Sequence, residues 1–102
     1  MGSRAWTVRY LPLAATDVRE QVAYYKAMAP GLERRFLACL RDSEHLALSN
    51  PHGFPLLDDT ELRTIVVRRF PFRLFYALRD DCILVVAVAH TAREPGQFLK
   101  RV

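Results

Sequence analysis

Nowhere in these 102 residues is there an apolar run approaching the roughly 18 residues that a membrane span requires. Cysteine is scarce: Cys39 and Cys82 stand far apart in apolar surroundings, which excludes a disulfide framework and reads as buried thiols in a reducing compartment. Glycine numbers only four, and no Gly-rich phosphate loop, GxSxG elbow or CxxC pair occurs, so nucleotide-dependent and hydrolase chemistry lack a foothold. His45, His52 and His90 are scattered over a helix, a loop and a strand end, so no metal and no cofactor is expected. The opening MGSRAW has no apolar h-region, which predicts neither a signal peptide nor an anchor and places the protein in the cytoplasm. Residues 1–4 are read as disordered or a cloning remnant. Lysine is the other scarcity, with two against 13 arginines, and arginine is the better planar ligand for phosphate and carboxylate. A GC-rich genome would give the same bias.

What is present describes one globular domain over residues 1–102, with 51% hydrophobic and 25% charged residues. A chain of this length buries roughly two-thirds of its unfolded surface. The net charge of +4 is unevenly spread: residues 1–60 hold seven basic and seven acidic side chains, residues 61–102 eight and four. The excess lies in the second part.

WTVRYL (6–11) alternates and is rich in β-formers, a strand ended by Pro12. Thr16-Asp17 can cap a helix running to about Met28, in which Val18, Val22, Tyr25 and Ala29 recur at helical spacing. Pro30-Gly31 break the chain, and Leu32, Phe36, Cys39, Leu40, Ser43, Leu46 and Ala47 form one stripe of a second helix. So short a connection makes the two a hairpin. Asn50 to Thr60 is a loop, and from Glu61 the period changes to two: ELRTIVVRR, FRLFYALR and CILVVAVAH form an antiparallel meander with turns at Phe70-Pro71 and Asp80-Asp81. The last strand, apolar from Ile83 to Ala89, belongs inside the sheet. REPGQFLKRV is a short closing segment. The expected fold is therefore α+β, β-α-α-β-β-β, with the helical hairpin on one face of an antiparallel-rich sheet.

On the second strand of the meander Phe72, Leu74, Tyr76 and Leu78 share the core face, and Arg73, Phe75, Ala77 and Arg79 the other. Arg63 and Arg69 can join Arg73 and Arg79 if the register allows. Such a face has two readings: an electropositive surface with a stacking aromatic, suited to RNA, or arginine stems covering apolar surface with their heads paired to Asp80, Asp81 or Glu61. Glu61, Asp58 and Asp59 are either solvated loop acids or a source of a general base. His90 beside Arg93 can act as an acid or simply hydrogen-bond the backbone.

The ordered set of the first strand from Val8, ATDVREQVAYY, PGLERRFLACL, NPHGFP, Leu62-Arg63, RRFPFRLFY, DDCILVVAVAH and His90-x-x-Arg93-x-Pro95 resembles the RelE/ParE superfamily of toxins of bacterial type II toxin–antitoxin modules, in its ParE branch. The resemblance spans Val8 to Arg101 and implies the same β-α-α-β-β-β fold. It further implies a growth-inhibiting toxin that is neutralised by a cognate antitoxin and acts on DNA gyrase as an inhibitor without chemistry of its own. The alternative is a ribosome-dependent mRNA endonuclease of RelE type, with RNA and the ribosome as partners and Glu61, Arg69 and His90 as its catalytic set. The meander has no lysine, Thr91 follows His90, and no tyrosine follows Tyr76, which leaves the nuclease set incomplete, whereas His90, Arg93 and Phe70-Pro71-Phe72 match the ParE pattern. Phe98 stands where many members have tryptophan. Candidate contacts to target or partner are Arg63, Arg69, Arg73, Arg79, His90 and Arg93. A disordered antitoxin segment that folds on binding would lie along the helical hairpin, with Tyr24, Tyr25, Met28 and Phe36 as candidate groove residues, Tyr25 and Phe36 being equally suited to the core.

Overall fold

The computed structural model describes residues 5–102; residues 1–4, for which disorder or a cloning remnant was expected, lie outside it. Strand β1 (Thr7–Tyr10) leads into helices α1 (Pro12–Met28) and α2 (Leu32–Ser49). Strands β2 (Arg63–Val67), β3 (Phe72–Arg79) and β4 (Cys82–His90) follow, and a 3-10 segment, Pro95–Arg101, closes the chain. The β-α-α-β-β-β order is the one periodicity predicts.

Helix α1 begins a turn earlier than Thr16-Asp17 suggested. Pro12 occupies its first turn, where a missing N–H costs nothing, so Thr16 becomes an interior residue whose hydroxyl donates to the Pro12 carbonyl at 3.1 Å. Asp17 is thereby freed for a tertiary role described below. Gly31 takes φ 91°, a left-handed conformation that favours glycine, and turns the chain into α2. Glu33 in the first turn of α2 accepts from the Gly31 N–H at 3.0 Å, covering one unpaired donor at that end.

The sheet order is β1-β4-β3-β2. The meander pairs antiparallel as expected, and β1 adds to it parallel to β4, aligning Thr7 with Cys82 and Tyr10 with Val85. β4 is thus an inner strand, in keeping with its continuous apolar run. Asp80 and Asp81 both have positive φ, 48° and 62°, the pattern of the tight turns whose twist suits a two-residue hairpin. A register shift between Phe75 and Tyr76 gives β4 one residue more than β3 at that point.

The helices lie on one face, where Phe36, Leu40 and Ala47 of α2 and Tyr25 of α1 meet Ile65, Phe72, Leu74, Tyr76 and Val85. Ser43, the polar member of the α2 stripe, is buried and donates to the Cys39 carbonyl. Leu46, placed on that stripe by spacing, is 45% exposed instead. A second cluster on the opposite face joins Phe75, Ala77, Val86 and Ala87 to Phe98 and Leu62. Burial on both sides accounts for the apolar composition of β4. Cys82 is buried and Cys39 half-buried, both as free thiols.

Candidate functional site

Where the C-terminal end of α1 overhangs the sheet, the turn before β3 and the end of β4 leave a hollow of about 610 Å³. Tyr24, Tyr25 and Met28 line it from α1, with Pro71, Phe72 and His90 opposite. Residues spaced i, i+3 and i+4 stack on one helix face, so Gln21, Tyr24, Tyr25 and Met28 share this overhang. Tyr24 and Met28 are 58% and 59% exposed. Tyr25 forms the floor: only 7% exposed, it packs edge-on against Tyr24 and Phe70 with ring centres 5.5 and 5.1 Å away. Burial, then the neighbouring Tyr24, raises its pKa, so its hydroxyl stays protonated.

Phe36 does not face the hollow. It is fully buried beneath Tyr25, Phe70 and Phe72, so the groove expected from four residues rests on Tyr24, Tyr25 and Met28. Helical spacing assigns a face and not a depth.

His90 turns its ring edge to Phe72 with centres 5.6 Å apart, and its Nδ1 accepts the Ala92 N–H at 3.0 Å. An accepting Nδ1 puts the proton of neutral imidazole on Nε2. The hollow is therefore largely aromatic, with His90 and Tyr25 as hydrogen-bond donors and with Glu20 and Gln21 also in its lining.

The arginines do not form one surface. Arg63 pairs with Tyr76 in register and shares its helix-side face; its guanidinium donates to the carbonyls of His52 and Phe54 at 2.9 and 2.6 Å, tying down the loop. Arg69 sits in the turn after β2 and lines a separate hollow beside α2. Arg73 and Arg79 do occupy the face opposite the helices. Arg79 pairs with Glu61 at 2.6 Å, and that guanidinium holds the Glu61 carboxyl below the usual range. Arg93 donates to Gln97 and, with Arg101, lies over the Phe98 ring.

Nor is that face open. Phe75, expected as its exposed aromatic, is 2% exposed and covered by Phe98 at 5.3 Å between centres. Arg101 anchors the cover: it bonds to the Asp17 carboxylate and the Val86 carbonyl at 2.8 and 2.9 Å, while Asp17 accepts the Val88 N–H at 3.1 Å. β1 reaches only to Val85, so Asp17 and Arg101 satisfy β4 backbone groups beyond it.

Glu61, Arg69 and His90 are not assembled into a catalytic group. Glu61 and Arg69 flank opposite ends of β2, five residues and about 16 Å of strand apart, and Arg69 and His90 line different hollows. Among the described residues no group of three or more His, Cys, Asp or Glu could hold a metal ion.

Sequence reasoning missed Pro71 as a wall of the first hollow, Arg35, which lines the second hollow with Arg69, and the Asp17–Arg101 link. Pro71 reads in the sequence as a corner between strands and part of the Phe70-Pro71-Phe72 pattern, neither of which marks it as a wall. The last joins residues 84 positions apart, a distance no local pattern spans.

The family model for the ParE toxin of type II toxin–antitoxin system, parDE, matches residues 8–95. A comparison with the curated proteins finds no match. Among solved structures, a chain of the chromosomal ParDE toxin–antitoxin system from P. aeruginosa superposes with a TM-score of 0.73 at 14% identity, covering 86% of this chain and 98% of that one. A doubly arginine-substituted E. coli toxin RelE in the free state superposes with a TM-score of 0.63 at 16% identity, covering 96% and 94%. At such identities the two superpositions speak to the fold.

Proposed function

Since the chain belongs to the ParE toxin family of type II toxin–antitoxin systems, we propose that it is the growth-inhibiting toxin of such a module, neutralised by a cognate antitoxin and directed against DNA gyrase in the cytoplasm. The observation that carries the antitoxin reading is the hollow under the end of α1. Two large side chains, Tyr24 and Met28, stand more than half exposed above an aromatic floor, although the sheet is covered on both faces. A concave apolar surface of this kind suits an amphipathic segment that folds as it docks. The His90 Nε2–H and the Tyr25 hydroxyl supply donors for that segment's carbonyls.

Inhibition of gyrase without chemistry of the toxin's own agrees with the dispersal of Glu61, Arg69 and His90. The covered sheet face weighs against the RNA reading, because Phe75 offers no ring for a base to stack on. Purified protein should raise the level of gyrase–DNA cleavage complexes in a supercoiling assay and leave ribosome-bound mRNA intact. Cuts in the ribosomal A site without gyrase poisoning would overturn the target. For the partner, the small protein encoded by the adjoining reading frame should co-purify with the wild-type chain, and Tyr24→Asp with Met28→Asp should lower its affinity at least a hundred-fold. Binding that ignores both substitutions would remove the hollow from the interface.

A further inference from the structure

Beside the first hollow lies a second, of about 730 Å³, between α2 and the turn that follows β2. Its apolar walls are Leu32, Ala38 and Phe70, and two arginines line it: Arg35 from the first turns of α2 and Arg69 from the turn. Both arginines are exposed, and neither side chain makes a hydrogen bond or ion pair among the described residues. Arg69 has φ 67°, a conformation that costs a non-glycine residue about 1 kcal/mol or more, so a tight turn and not a bonding partner sets its position. Asp42 also lines the hollow, which leaves one positive charge in excess.

The two hollows have no lining residue in common, but one aromatic contact and the turn residues Arg69 to Phe72 join them. Phe70 lines the second and packs against Tyr25, the floor of the first, at 5.1 Å. Arg69 and Phe70 of the second hollow are followed directly in the chain by Pro71 and Phe72 of the first, so one polypeptide segment laid along this turn can meet both. Apolar walls beneath a pair of unpaired guanidiniums suit the stem and head of an acidic side chain, since a carboxylate takes two parallel N–H bonds from each planar arginine.

We propose that the Arg35–Arg69 hollow is a carboxylate-binding subsite, filled by an Asp or Glu of the same antitoxin segment whose apolar side chains occupy the Tyr24–Met28 hollow. This rests on the antitoxin reading above and adds the chemistry of its occupant: an acidic, amphipathic polypeptide with its carboxylate set just beyond its apolar anchors.

The test measures binding of the adjoining reading frame's protein by calorimetry at 50 and 300 mM NaCl. It compares wild type, Arg35→Gln with Arg69→Gln, and a control, Arg34→Gln with Arg68→Gln, that removes two exposed arginines outside the hollow. The first pair should lower affinity about ten-fold at low salt and flatten the salt dependence, while the control stays within about two-fold of wild type. Equal losses from both pairs would reduce the subsite to general electrostatics and overturn it, as would no loss from either. If Tyr24→Asp with Met28→Asp abolishes binding while the Arg35 and Arg69 pair leaves it unchanged, the subsite falls and the antitoxin reading stands. If the wild type does not bind, both fall. A single-stranded RNA oligonucleotide provides the counter-probe: RNA binding lost only in the Arg35 and Arg69 variant, with antitoxin binding intact, would assign the hollow to phosphate instead.

Discussion

Thr64 Oγ1 is buried on the covered face of the sheet without a hydrogen-bond partner, as is Arg73 Nε on the neighbouring strand. A desolvated hydroxyl that recovers no bond costs roughly 1–3 kcal/mol, so Thr64→Val, which keeps the β-branched shape, should raise stability by about 1 kcal/mol in urea unfolding. Tyr10 presents the opposite case. Its hydroxyl donates to Glu44 of α2, and burial, then that bond and the Glu44 charge, raises its pKa far above the ordinary value. A raised acid contributes stability that is complete below its unfolded value near 10 and is lost as pH rises beyond it. Tyr10→Phe should therefore cost about 1.5 kcal/mol near neutral pH, and the gap from wild type should narrow above pH 10. Glu61 has the reverse sign. Its lowered pKa gives a contribution present above the unfolded carboxyl value and lost as pH falls through the folded one, and because both partners are about half exposed, Glu61→Gln should cost less than about 0.5 kcal/mol and nothing measurable in high salt.

Among the elements, the C-terminal 3-10 segment does more than its length suggests. Phe98 caps Phe75, and Arg101 bridges Asp17 to the β4 backbone. Phe98→Ala should cost about 3 kcal/mol and expose Phe75, which binding of a hydrophobic dye would register; an unchanged midpoint and no dye signal would show that the segment does not hold the face shut. This element was the least legible in the sequence, since REPGQFLKRV has no period from which a docking face could be read. The helices and strands were legible because each repeats an apolar position at its own period, while boundaries moved, at the start of α1 where Pro12 intervened and at the first meander run, read over 61–69 but paired only over Arg63–Val67. Of the site, Tyr24 and Met28 were legible because they sit beside the apolar stripe of α1. Arg63 was not, because the pairing of β2 with β3 decides its face, and strand register is written in contacts across the sheet rather than along the chain.

For the molecule as a whole, the dominant relation is the one between its ends. β1, at residues 7–10, pairs with β4, at residues 82–85, and Asp17 meets Arg101. Removing residues 82–102 would leave β1 and β3 without their shared neighbour and α1 without the strand it packs on most, so the fragment 1–81 should show no cooperative unfolding transition. β4, one of the two inner strands of this sheet, is also the last of its strands in chain order. The nascent chain therefore holds the other three strands and both helices before it has the piece that closes its core, and the fold cannot close until β4 has left the ribosome.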